Sequence, residues 1–180
     1  MSLDPRTVVF LIIIGTTLMG GGLLAASVGH LGDVAELPRW ARATLLQALG
    51  WTVVGALGAL LPLVVTIVVG NGLILLSFCL YLAVLASFTA RRVSAAWLYV
   101  PVTIQSVLLA GLVTADAGLA ARNIVLSVCA TAVAVKCAHV LLSGGWRLPT
   151  SHRFTAGLFA LCAVLMTARG VLRRDGEGLP

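Results

Sequence analysis

Long uncharged apolar runs alternate with short arginine-bearing segments along the whole chain. A helix rises about 1.5 Å per residue and the hydrocarbon core of a bilayer is about 30 Å thick, so a run of roughly 20 apolar residues reads as one crossing. Residues 8–28 form the first such run. Between Arg42 and Arg91 lie 48 residues (91 − 42 − 1) without a charge. As one helix they would extend about 72 Å, more than two membrane thicknesses, so the run must fold back on itself. Pro62 is the reversal point, because its ring removes a backbone donor and clashes with the preceding turn. This predicts helices over 43–61 and 63–88. Arg91-Arg92-Val93-Ser94 closes that hairpin, and residues 95–115 supply a fourth helix, bent near its start by Pro101 and ending before Asp116. A fifth helix spans 121–143, Gly144-Gly145-Trp146-Arg147-Leu148-Pro149 reads as a loop, and a sixth helix spans 154–172. Residues 173–180 are a polar, glycine-rich tail. The expected fold is all-α: one polytopic transmembrane domain of about six helices in three hairpins.

Composition points the same way. The chain is 60% hydrophobic and 10% charged, against roughly 45–50% and about 25% in a soluble domain. So few polar groups cannot cover a globular surface, and lipid is the expected solvent. The net charge of +6 does not imply nucleic acid. The basic residues lie singly or in pairs between apolar runs, where they act as topology signals and contacts to anionic lipid. The first apolar run is too long for the core of a signal peptide, and Arg6 before it is matched by Asp4, so it reads as an uncleaved helix. Cys79, Cys129, Cys137 and Cys162 fall inside apolar runs without CxxC spacing, which argues for packing rather than zinc or disulfides.

With the N-terminus and even-numbered loops on one side, that side carries Arg6, Arg122, Arg169, Arg173 and Arg174. The other carries Arg39, Arg42, Arg91, Arg92, Arg147 and Arg153, a balance of five against six with Lys136 uncounted. More positive charge follows the first helix than precedes it, which favours an external N-terminus. Arg173 and Arg174 would then lie outside, as expected of a chain that continues into a seventh helix.

Burying a charge in a membrane is expensive, so intramembrane polar residues are the candidate ligand or polar-path positions. Lys136 and His139 stand three residues apart on one face of the fifth helix. The alternative is that Lys136 snorkels to the interface and His139 sits neutral beside it. Asn71 and Gln105 could contact a ligand or tie helices together by hydrogen bonds. Gly21, Ala25 and Gly29 on the first helix, and Gly55 with Ala59 on the second, recur every four residues and predict flat packing ridges. Gly20-Gly21-Gly22 lacks the preceding strand and following lysine of a nucleotide loop. Trp40, Trp97, Trp146 and Tyr99 lie near helix ends, whereas Trp51 is deeper and could line a cavity. Asp33, Glu36, Asp116, Asp175 and Glu177 all fall in loops or the tail, so no enzyme active site is expected. His30 and His152 fall in loops and only His139 in a helix, so a bis-histidine haem site is not built and no metal or cofactor is expected.

Met1-Ser2-Leu3-Asp4-Pro5-Arg6-Thr7, Arg39-Trp40-Ala41, Val69-Gly70-Asn71-Gly72-Leu73-Ile74-Leu75-Leu76 and the segment from Tyr81 to Phe88 resemble the N-terminal membrane region of bacterial GGDEF-type diguanylate cyclases. The resemblance covers most of the chain. It departs at the turn around Pro62, which lacks the charged residues often present in that family. It implies a sensory input module of the bacterial cytoplasmic membrane, multi-pass and signalling through dimerisation to a C-terminal or separate output domain that makes cyclic di-GMP. The Gly-Gly-Asp/Glu-Glu-Phe motif itself is absent from this sequence, so no cyclase residue is carried over. A small transporter or channel is the second reading, and would need a polar path through Asn71, Gln105, Lys136 and His139. A subunit whose role is packing against another membrane protein is a further one.

Overall fold

The computed structural model describes residues 4–28, 36–89, 91–143 and 150–172. Gly29, His30, Asp33, Trp146, Arg147 and the tail over 173–180 lie outside them. Among the described residues there are six helices and no strand: α1 (Pro5–Val28), α2 (Leu37–Gly55), α3 (Leu63–Phe88), α4 (Ala96–Thr114), α5 (Leu119–Leu142) and α6 (Thr150–Leu172). In α1, α3, α4 and α5 the helix is long and apolar enough to cross a membrane. The chain is an all-helical membrane bundle.

Helices are the only open-ended way to satisfy the backbone in lipid, and the side-chain hydroxyls follow the same rule. Thr16, Thr52, Ser77 and Thr114 each donate back to a carbonyl three or four residues earlier in their own helix. Apolar side chains are left facing outward. Leu18 is 71% exposed and Val128 62%, as expected where lipid rather than water is the surroundings.

Three boundaries differ from the hydropathy reading, the two helix starts for one physical reason. α2 begins at Leu37 rather than about 43 and ends at Gly55 rather than about 61, while α6 begins at Thr150 rather than about 154. Both helices start within polar sequence, because a helix continues into the headgroup zone after its side chains stop being apolar. Pro38 sits in the first turn of α2, where its missing N–H costs nothing. At the other end Pro62 holds extended backbone, with φ −55° and ψ 139°. α2 stops at Gly55 and residues 56–61 form a turn that leads into Pro62, whose ring bars a continuous helix from α2 to α3. A Cβ at Gly58 would lie 2.7 Å from the Val54 carbonyl, so that turn requires glycine. His152, expected in a loop, is in the first turn of α6.

α3 is the hub, packing against α2, α4 and α5; α4 also packs on α5, while α1 packs on α2 and α6 on α5. The core lies between α3 and α5, where Cys79, Leu82 and Leu85 meet Val133, Cys137 and Leu141. The two flanking helices cover the bundle thinly. In the most apolar stretch of α1 only 6% of residues are buried, against 44% in α5.

The small-residue contacts correct the expected ridges. Gly21 has no atom within 4 Å of where a Cβ would stand, and Ala25 is exposed. On α1 it is Gly20 that meets α2, with Leu45 2.8 Å from its Cβ position. Gly55 does lie against α1, facing Val9, whereas Ala59 is exposed in the turn after α2. The closest approach of one helix backbone to another at these glycines is between Gly50 of α2 and Gly70 of α3: a Cβ on Gly50 would stand 2.9 Å from the Gly70 carbonyl and 2.7 Å from Ile74. Gly50 was not apparent as a packing residue, because its partner lies on another helix.

The connection from α4 to α5 is a Schellman turn. Ala117 N–H donates to the Leu112 carbonyl and Asp116 N–H to that of Val113. Asp116 takes the left-handed position with φ 50°, a place that glycine or asparagine usually fills.

These contacts predict opposite outcomes for two glycines. Gly70→Val forces α2 and α3 apart and is expected to destabilise the bundle by about 1–3 kcal/mol. Gly21→Ala meets no neighbour and gains helix propensity, so its effect is expected to be neutral or stabilising by up to about 1 kcal/mol. Unfolding of each variant in a mixed-micelle denaturant titration measures both.

Candidate functional site

α2 and α5 both rest on α3, yet among the described residues they do not pack on each other. The gap between them is a cavity of about 320 Å³. Its walls are Gln47 and Trp51 of α2, and Arg122, Asn123 and Ser127 of α5. Asn71 and Phe78 of α3 and Gln105 of α4 line the rest together with aliphatic side chains. The volume is at the lower end of the range of about 300–1,000 Å³ typical of small-molecule sites, and a mostly apolar lining with a few polar groups is the usual chemistry of one.

The structure separates the roles of Asn71 and Gln105. Gln105, only 2% exposed, donates from Nε2 to the backbone carbonyl of Asn71 at 3.0 Å, so it ties α4 to α3. The Asn71 side chain donates to Ile67 within its own helix at 2.8 Å. The interhelical bond at this level therefore uses the Asn71 backbone, and its side chain lines the cavity. The neighbouring glycine Gly70 faces α2 and Gly72 faces Ser106 of α4. The segment Val69-Gly70-Asn71-Gly72 is thus where α3 meets two helices at once.

Three donors on residues that line this cavity have no acceptor among the described residues: Trp51 Nε1, Asn123 Nδ2 and Arg122 Nε. Leaving a buried donor unpaired costs about 1–3 kcal/mol, more for a charged group, and native interiors contain few such groups. Asn123 is only 5% exposed. The Arg122 side chain is 13% exposed, and Asp116 approaches its Nη2 at 3.9 Å with a fully solvent-exposed side chain. That separation exceeds a hydrogen bond, and a carboxylate in solvent screens the guanidinium weakly. The result is one cation and two neutral N–H donors, all buried, on residues that line a largely apolar space.

Of these residues, Trp51 was legible as a deep tryptophan. Arg122 and Asn123 were not, since Arg122 counted only toward topology. The available signal was that the pair stands just after Leu119-Ala120-Ala121 at the start of an apolar run, placing a charge and an amide within the first turns of a span.

Lys136 and His139 belong to a different place. They line a cleft of about 220 Å³ at the opposite end of the bundle, together with Arg91, Arg92, Trp97 and Ser143. Lys136 Nζ stands 5.4 Å from the centre of the Trp97 ring, a cation–π arrangement. His139 is exposed in the last turn of α5. Arg91 donates to the Ser143 carbonyl at 2.7 Å, bringing a cation to the C-terminal end of α5 where the helix dipole favours one. None of the residues lining this cleft is acidic.

The four polar candidates therefore form two groups and not one path. Between them lies the apolar core of Cys79, Leu82 and Leu85 with Val133, Cys137 and Leu141. The cleft also changes the charge balance. It adds Lys136 to the end that carries Arg39, Arg42, Arg91, Arg92 and Arg153, so the six against five read from the sequence becomes seven against five.

The Gln105 bond sets a measurable contribution. Gln105→Leu removes the tie from α4 to the Asn71 carbonyl and is expected to lower stability by about 1 kcal/mol, read as a shift in the unfolding midpoint in mixed micelles. No protein-family model matches this chain, and no match emerges among curated proteins or solved structures.

Proposed function

We propose that this chain is a membrane-embedded sensory module in which a small ligand, held between α2 and α5, sets the relative position of those helices. The observation that carries this reading is the cavity itself. Its two walls do not otherwise touch, and both present donors without acceptors. A ligand bridging Trp51 and Asn123 would favour whichever packing brings α2 and α5 to the same molecule, and could shift the balance only by that difference in affinity. Among the described residues α6 packs on α5 alone, so a change at α5 reaches α6 directly.

The resemblance to the input region of GGDEF-type diguanylate cyclases supports an output of the cyclic di-GMP kind, through a homodimer, in the cytoplasmic membrane of a bacterium. The excess of basic residues at the cleft end, seven against five once Lys136 is counted there, supports a cytoplasmic location for that end. The cavity would then face the outside, where a stimulus arrives. A transporter or channel would require the apolar core between α3 and α5 to part, because the polar residues on its two sides are not continuous.

Fusing the chain to a reporter whose output depends on dimer geometry, through an added transmembrane helix that returns the reporter to the cytoplasmic side, tests the reading. Arg122→Gln and Trp51→Ala are each expected to change reporter output several-fold at unchanged membrane abundance. Lipid-facing Val128→Ala is expected to leave it as it is. Equal output from all three variants and the parent would remove the sensory reading.

A further inference from the structure

The chemistry of the cavity points to a class of ligand. Resting on the reading of this cavity as a ligand site, we infer that it takes a monocarboxylate with a compact hydrocarbon body, a short to medium alkanoate or the carboxylate end of a fatty acid. Three observations converge on this choice. The polar groups without protein acceptors are all donors, at Trp51, Arg122 and Asn123, so the ligand must present acceptors. One of the three is a guanidinium, and among the described residues it is the sole charged side chain lining the cavity, so a single negative charge is matched and a second would be left over. A planar guanidinium favours a planar, two-oxygen anion, which a carboxylate supplies. The remaining wall, including Ile67, Leu75, Phe78 and Leu126, is apolar and accepts a hydrocarbon chain.

Asn123 gives this inference a signature that a purely structural residue would not show. Its amide is buried without an acceptor for Nδ2, so replacing it by an apolar side chain of similar size removes an unpaired donor. Asn123→Leu is therefore expected to stabilise the ligand-free protein while weakening carboxylate binding.

The full chain in phosphatidylcholine nanodiscs would be titrated with octanoate, octanol, octylamine and octyl phosphate. Binding is followed by thermal unfolding and by tryptophan fluorescence, with Trp51→Phe as the control that assigns the signal to the cavity. Octanoate is expected to bind at least tenfold more tightly than octanol. Arg122→Gln is expected to remove most of that preference, and Asn123→Leu to raise the ligand-free unfolding temperature while weakening octanoate at least threefold. If Arg122→Gln fails to fold, the Asn123→Leu result carries the test alone.

Octanol binding as tightly as octanoate, with the Trp51-dependent signal present, would overturn the carboxylate assignment and leave the ligand cavity standing. Tighter binding of octyl phosphate or octylamine would do the same. If no probe gives a Trp51-dependent signal, the donors are satisfied by water and both the assignment and the cavity reading fall. A series from butanoate to palmitate separates the two sources of such a ligand. An optimum at short length indicates an aqueous metabolite, and affinity rising through the long chains indicates a fatty acid drawn from the bilayer; both support the carboxylate class.

Discussion

The close crossing of α2 and α3 at Gly50 and Gly70 determines where the other helices can sit. In lipid there is no hydrophobic force pulling helices together, since the tails are as apolar as the side chains, so association depends on close contact and a few polar bonds. With no side chain between them, the two backbones approach until the Gly70 carbonyl lies 2.9 Å from the Cβ position of Gly50. One end of this contact is extended by the Tyr81 hydroxyl, which donates to Thr44 at 2.9 Å and also approaches Gln47 at 3.2 Å. Tilted packing of Trp40 against Tyr81, with ring centres 5.1 Å apart, completes it. Because α3 is fixed against α2 on one face, α5 can only pack on another, and the space left between α2 and α5 is the cavity.

Polar groups in the bundle divide into those that hold it together and those that do not. The hydroxyls of Thr16, Thr52, Ser77 and Thr114 are satisfied inside their own helices, and Gln105 and Tyr81 bridge neighbours. Trp51, Arg122 and Asn123 bridge nothing for their free donors. A fold that needed only stability would do better with apolar residues at Trp51 and Asn123, as the energetics of unpaired buried groups dictate. Residues that cost stability without supporting the packing are the usual mark of a functional surface.

How much of this was legible in the sequence depended on the range of the interaction involved. Apolar run length and Pro62 gave the helices over 63–88 and 95–115 nearly to the residue, because crossing a bilayer is a local requirement on composition. The starts of α2 and α6 were misplaced, since hydropathy marks where lipid contact begins and not where the backbone starts to coil. The packing glycines were only half readable. A spacing of four identifies a smooth face but not which helix it meets, so Gly21 and Ala25 were expected where Gly20 makes the contact. The site was the least legible part. Asn71 and Lys136 stood out equally as polar residues in apolar runs, and only the three-dimensional arrangement separates a cavity wall from an interfacial cleft.

Mechanically, the arrangement of α3 and α5 gives the bundle a gradient of stiffness. At the cleft end these two parallel helices are clamped by the packed core and by Arg91, which reaches from beyond α3 to the last carbonyl of the α5 terminus. Toward the opposite end the filling between α2 and α5 gives way to open volume. A rod held firmly at one end and loosely at the other pivots rather than slides. A small displacement of α5 beside Arg122 would therefore emerge at the far end as a change of tilt, with the Arg91 clamp serving as the fulcrum.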